Sequence, residues 1–192
     1  MTELEAAIRR WTRAEYEQLI DKGVFAPGER LELIDGLLLV AEPQSAYHFT
    51  TVRLVALALA RAFGEGWDVR TEGPIALDDD SEPEPDVAVV RGSLRDYLTA
   101  HPADPVLVVE VALTSLAFDR ERKSSLYARA GRPEYWIVNL VDRVLEVRRE
   151  PSRSVSAPYG WHYRGVEELG TSDAVFPLAA PSARIAVADL LP

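Results

Sequence analysis

One glutamate stands alone in an otherwise apolar run, Glu110 within Pro105-Val-Leu-Val-Val-Glu-Val111. The run is nearly all β-branched or aliphatic, as expected of a central strand covered on both faces. Strand alternation puts Glu110 on one face with Val108 and Ala112. A carboxylate there is costly unless it is paired or bound to a metal. Two readings stay open: a glutamate at a fraying strand end beside an arginine, or a ligand. Asp86 bears on that choice. It follows Pro85 and opens Asp86-Val-Ala-Val-Val90, a second short buried strand. If the two strands are sheet neighbours, both carboxylates converge on one cation, and hard oxygen donors with water suit Mg²⁺ or Mn²⁺. Taken alone, Asp86 reads as a turn or strand-start residue. Lys123 is the third element, four residues after Asp119 and four before Tyr127, so the three share a helix face. Its plainer reading is a surface Asp–Lys pair worth roughly a few tenths of a kcal/mol.

These residues need elements to hold them. Thr12 to Asp21 reads as a helix, because Thr12 and Glu15 have capping-box spacing and Gly23 is a natural stop. Arg30 to Ile34 and Leu37 to Val40 are two β runs split by Asp35-Gly36, which predicts a tight hairpin. Tyr47 to Phe63 carries apolar residues at 52, 55, 59 and 63, a helical period ended by Gly64. Trp67 to Thr71 and Gly73 to Leu77 read as strands. Asp78 to Pro85 reads as a solvated loop. A short helix is expected from Ser93 to Ala100, and a longer one from about Ser115 to Ala130, ended by Gly131. Tyr135 to Leu140 and Arg143 to Arg149 alternate as a strand pair. Short β patterns continue to Ala183-Arg-Ile-Ala-Val187. No internal repeat or convincing linker is visible, so one domain over residues 1–192 is expected. The order predicts a mixed sheet with helices on its faces, an α/β (α+β) fold with an N-terminal helix–hairpin–helix segment and extra C-terminal strands.

Composition narrows the function classes. The chain has 192 residues, 47% of them hydrophobic, which suits one ordinary core. It has no cysteine, which excludes disulfides and thiolate metal sites. No apolar run nears the ~20 residues that span a bilayer, and Met1-Thr-Glu-Leu-Glu5 lacks the basic and apolar regions of a secretory leader. A cytoplasmic location with no membrane partner is expected. With 31 acidic against 21 basic residues the net charge is −10. Proteins that grip DNA through phosphates usually show a basic face, so tight non-specific DNA binding by a monomer is not expected.

The order Pro85-Asp86, Glu110-Val-Ala112, Asp119-Arg-Glu-Arg-Lys123, Tyr127, Gly131 and Glu134-Tyr-Trp136 resembles the Uma-two family, endonucleases of the PD-(D/E)xK superfamily. Leu31-Glu32-Leu-Ile-Asp35-Gly36 and His48 extend the likeness, which covers roughly residues 12 to 190. The resemblance implies a restriction-endonuclease-like fold, DNA as substrate and, as in many superfamily nucleases, a homodimer. It makes Asp86 and Glu110 metal carboxylates, with the Val111 carbonyl as a further ligand. Lys123 stands in for the superfamily lysine, which normally lies two residues after the glutamate. That place is Ala112 here, and a small residue there leaves room for a lysine reaching in from the next helix. Glu32 becomes an accessory acid near the metal, and His48, Asp119 and Tyr127 possible accessories. The implied chemistry is metal-assisted phosphodiester hydrolysis.

Other residues read more plainly. Glu134-Tyr-Trp136 is expected to pack, while His101 and His162 are expected at the surface. His48 either caps or packs near its helix start, or faces the acidic cluster. Arginines 120, 122, 129 and 132 flank the centre and are as readily an exposed helix face as phosphate contacts. Two other functions compete with a DNA endonuclease. One is a catalytically silent nuclease fold that binds nucleic acid or protein; the other is an oligomer with a structural role.

Overall fold

The computed structural model describes residues 8–40 and 44–192. The Met1–Glu5 start considered above lies outside them. Helix α1 (Arg13–Asp21) begins at Thr12, whose hydroxyl accepts from the Glu15 N–H while the Glu15 carboxylate accepts from the Thr12 N–H. Two of the four donors that a helix start leaves unpaired are thus satisfied reciprocally. Strands β1 (Leu31–Ile34) and β2 (Leu37–Val40) pair antiparallel through Asp35 and Gly36, both at positive φ (48° and 77°). Helix α2 (Ala46–Phe63) is capped by Ser45 and buries Val52, Val55, Leu59 and Phe63, the four positions of the helical period.

The centre is a six-stranded sheet in the order β3-β4-β5-β6-β7-β8. Its strands are β3 (Trp67–Thr71), β4 (Val87–Arg91), β5 (Leu107–Ala112), β6 (Glu134–Asn139), β7 (Val144–Arg153) and β8 (Trp161–Leu169). Only the β5–β6 pair within it is parallel. A parallel pair needs a crossover, supplied by helix α3 (residues 116–129). It runs as an α-helical start Leu116–Phe118, a π-helical stretch Asp119–Lys123 and an α-helical end Ser124–Arg129. A two-residue pair, β9 (Ala174–Val175) and β10 (Ile185–Ala186), follows β8. The mixed sheet with helices on its faces that the sequence order predicts is found, with the β1–β2 hairpin as a separate two-stranded sheet.

Alternation divides the core in two. Val87, Val89, Val109, Val111, Trp136 and Val138 face α2 and the C-terminal residues Val187 and Leu190. Ala88, Val108, Ala112, Tyr135 and Ile137 face Leu126 and Tyr127 of α3, together with Ile34, Ile75 and Leu77. Each fully buried Leu, Ile or Phe contributes about 1.5–3 kcal/mol. The expected packing role of Glu134-Tyr-Trp136 holds, since all three are buried.

Three expectations need correction. Gly73 to Leu77 is not a strand. Pro74 has no N–H for a ladder, and the segment instead bonds to loop carbonyls, Ile75 N–H to Pro83 and Ala76 N–H to Pro102. Asp78 to Pro85 is not solvated throughout. Asp79 and Asp80 are exposed, but Ser81, Glu82, Pro83 and Pro85 are buried beneath the β1–β2 hairpin, where Leu33 and Glu82 exchange backbone hydrogen bonds. The expected helix over Ser93 to Ala100 is a single 3₁₀ turn, Leu94–Tyr97.

Candidate active site

Strand β4 begins at Val87, opposite Val109 of β5. Beyond that point β5 runs on without a neighbour on that edge, and Pro85 cannot donate to extend the ladder. The Val111 N–H therefore donates to a side chain, Asp86 Oδ2, at 2.7 Å. A strand residue's N–H and C=O leave on the same edge, so the Val111 carbonyl opens to the same point. Asp86 in turn offers its own N–H toward Glu110 Oε2 at 3.4 Å. The broken ladder thus brings the two acids together although 24 residues separate them.

From the other side comes α3. Its wide π turn leaves Asp119 and Lys123 both buried against the sheet, and such turns often mark functional positions. Lys123 Nζ donates to Glu110 Oε1 at 2.9 Å, and one turn later the Tyr127 hydroxyl donates to the same oxygen at 2.9 Å. Ala112, fully buried, lies on the same face of β5 as Glu110. Lys123 Nζ also lies 3.4 Å from Glu32 Oε2 of β1, a buried oxygen that accepts no hydrogen bond. Asp119 accepts from the Ser115 hydroxyl at 2.6 Å. His48, in the first turn of α2, places Nε2 3.2 Å from Asp86 Oδ2.

Of the two readings for His48, the structure adopts the one facing the acids. Asp86, Glu110, Lys123, Glu32, Val111, His48, Asp119 and Tyr127 all come to one end of β5. His101 and His162 are exposed, as expected.

The electrostatics are those of an acid cluster with one cation inside it. Burial drives the Glu110 carboxyl well above the usual range. The Lys123 ammonium opposes that shift, and the charges of Asp86, Asp119 and Glu32 add to it. Burial alone would lower Lys123, but Glu110, Glu32, Asp119 and Asp86 hold it well above its ordinary value, so it stays protonated. Asp119 is raised, chiefly by burial, against the pull of Lys123. For His48, burial is the largest influence and lowers the pKa. The bond and charge of Asp86, with the Val111 carbonyl, outweigh it and raise the imidazole.

The cluster opens into a cleft of about 590 Å³ that Leu39, Val40, Leu113 and Phe118 also line. Arg30 and Glu84 line it too, and the sequence reading passed over both. Glu84 lies two residues before Asp86, in extended chain around Pro85, and that spacing was the available signal. Among the described residues no three His, Asp or Glu side chains gather closely enough to hold a cation unaided. The donors nevertheless fit one. Glu110 Oε1 is taken by Lys123 and Tyr127, whereas Oε2 carries the long contact from Asp86. With Asp86, that leaves two hard oxygen donors beside an acid surplus, the number with which Mg²⁺ is usually held among waters.

Of the flanking arginines, three are engaged elsewhere and Arg122 is exposed. Arg120 binds Glu146, Arg129 binds Asp35 and Asp78, and Arg132 binds Asp104.

Comparison with known proteins places this architecture. A family model described as "Uma2: Putative restriction endonuclease" matches residues 13–178. No curated protein matches the chain. Among solved structures, the crystal structure of "a putative nuclease belonging to DUF820 from Anabaena variabilis ATCC 29413" superposes with a TM-score of 0.69. The alignment covers 94% of this chain and 97% of that one at 14% sequence identity, a likeness of fold. Among the described residues no helix is long and apolar enough to cross a membrane.

Proposed function

The chain belongs to the Uma2 family, and on that premise we propose that it is a metal-dependent endonuclease hydrolysing DNA phosphodiester bonds in the cleft at the end of β5. One observation carries the reading: Asp86, Glu110 and Lys123, far apart in sequence, meet with Lys123 Nζ 2.9 Å from Glu110 Oε1 and Asp86 fixed on the Val111 N–H. Asp86 and Glu110 Oε2, with the Val111 carbonyl, would hold Mg²⁺ or Mn²⁺. When bound, such an ion polarises a phosphoryl oxygen and acidifies water.

The chain's own residues supply the rest. Lys123 keeps its proton and offers N–H groups to charge developing on the phosphate from a buried position, where such donors count most. Tyr127 holds Glu110 Oε1 and so turns Oε2 toward the cleft. His48 and the Val111 N–H fix Asp86, as outer partners orient a ligating carboxylate. Glu32 and Asp119 keep Lys123 charged. A homodimer would present two such clefts to two strands, and sedimentation of the purified chain tests that.

The test is cleavage of plasmid and oligonucleotide DNA with Mg²⁺, Mn²⁺ or chelator, run beside Lys123→Ala. Metal-dependent cleavage lost in the variant supports the reading. The net charge of −10 and the acid-lined cleft favour a second reading, a catalytically silent nuclease fold that binds as an oligomer. Calorimetric titration with Mn²⁺ separates them: metal uptake with no cleavage of any DNA supports the second.

A further inference from the structure

The lips of the cleft differ in character from its floor. Leu39 and Val40 of β2 stand on one side, Leu113 and Phe118 on the other, where β5 turns into α3. Val40 is 70% exposed and Leu113 39% exposed. Val40 and Leu113 are apolar side chains held out over an acid cluster, while Leu39 is half-buried and leans on the core. Among the described residues lining the cleft, the permanent cations are Lys123 and Arg30. Lys123 is committed to Glu110 and Glu32. Arg30 is only loosely engaged, at 3.8 Å from Glu72 and 3.9 Å from Glu84, and is free to turn to a phosphate.

A double helix is gripped through rows of phosphates, which take half to two-thirds of the protein's hydrogen bonds and make binding steeply salt-dependent. Arg120, Arg129 and Arg132 are tied to carboxylates, Arg122 does not line the cleft, and the cleft walls are acidic. An unpaired strand presents something else: base faces, which stack on aromatic side chains whatever their sequence and can also cover exposed aliphatic ones, removing apolar surface from water. The cleft offers apolar lips and one available cation, which suits that geometry.

We infer that the substrate is single-stranded nucleic acid, its bases resting on Leu39, Val40, Leu113 and Phe118 and one phosphate meeting Arg30. This rests on the nuclease reading above. The reaction is hydrolysis only: the water oxygen joins phosphorus, one P–O bond breaks, and the departing oxygen leaves with a proton, so no other reactant is consumed.

The experiment compares initial cleavage rates of one oligonucleotide, as a free strand and annealed to its complement, with Mg²⁺ or Mn²⁺ over a range of salt. The free strand is expected to be cut at least about tenfold faster, the size of one base contact. Its log rate should fall with log salt at a slope no steeper than about −1.4, two phosphates' worth. Phe118→Ala should lower the rate on the strand about tenfold and Leu113→Ala by less, each leaving the thermal midpoint and the Mn²⁺ titration unchanged. Equal or faster cutting of the duplex overturns the inference but leaves the nuclease standing, as do apolar variants that cut the strand at the full rate. Cleavage of neither form overturns both.

Discussion

Glu110 and Glu146 lie in one row across the sheet. Ile137 of β6 pairs with Glu110 on one side and with Glu146 of β7 on the other, and all three point to the same face. Helix α3 serves both acids, sending Arg120 to Glu146 and Lys123 to Glu110. Their surroundings diverge. Glu146 receives Arg120 at 2.6 and 2.8 Å, Arg148 at 2.7 Å and the Asn139 amide at 3.1 Å. Burial tends to raise its pKa, but the two arginines and the amide outweigh that and lower it. Glu110 has one ammonium and one hydroxyl on a single oxygen, and other carboxylates around it. A buried acid that holds the fold together is over-supplied with donors. One that awaits a cation is left short of them.

The contrast breaks most sharply on activity. Glu110→Gln, Asp86→Ala and Lys123→Ala should each abolish cleavage with the far-ultraviolet circular dichroism unchanged. Mg²⁺-dependent cutting retained by the Glu110 variant removes the proposed mechanism.

The next effect is on stability. Glu146→Ala should cost about 3 kcal/mol in urea unfolding, the low end for a broken buried pair because Arg120 is partly exposed. Its Mn²⁺ affinity should not move. If the Glu110→Gln chain proves the less stable of the two, the distinction between the acids is wrong.

Smaller still is Tyr127→Phe, which frees Glu110 Oε1 without emptying the core. Metal affinity by calorimetry should weaken about 10–100-fold, as for other outer partners of a ligating carboxylate. An unchanged affinity makes the hydroxyl merely structural.

The gentlest test is pH. The lowered pKa of Glu146 contributes stability that is present above its unfolded value of 4.5 and is lost as pH falls through the folded value. Glu82 behaves oppositely. Burial first, then the bond to and charge of Glu17, push it up to about 7 from 4.5. The folded state therefore holds an extra proton between those values, and stability falls as pH rises through that window. Glu82→Gln should flatten the fall near neutrality, and Glu146→Gln the loss in acid, both read from urea midpoints across pH.

Much of this was visible in the chain itself wherever a local rule decided the outcome. The Thr12–Glu15 capping box, the Asp35-Gly36 turn and the 52, 55, 59, 63 stripe are spacings within a few residues, and each reappears in the structure. Glu110 stood out because one charge among β-branched residues is expensive. What stayed hidden depends on distant partners. Nothing within residues 78–85 says that the hairpin will cover Ser81 and Glu82, and Gly73 to Leu77 alternates like a strand until Pro74 and the loops beside it decide otherwise. Arg30 and Glu84 were missed as cleft residues for the same reason, since their surroundings come from another part of the fold. Arg120, Arg129 and Arg132 could not be assigned without seeing Glu146, Asp35, Asp78 and Asp104 beside them.

The π-helical stretch Asp119–Lys123 amounts to one residue more than a regular helix would carry, and it works as a phase shifter between two halves of α3. Excising Glu121, which is exposed, would let the segment relax to ordinary winding. Lys123 and Tyr127 would keep their grip on β5, and Asp119 and Phe118 would hold their places as well, because the residue removed is the one that the wide turn absorbs. Straightening the turn with every residue kept would instead rotate one half of α3 against the other by about 100°, one residue's share of a 3.6-residue turn, and part the acid from the ammonium.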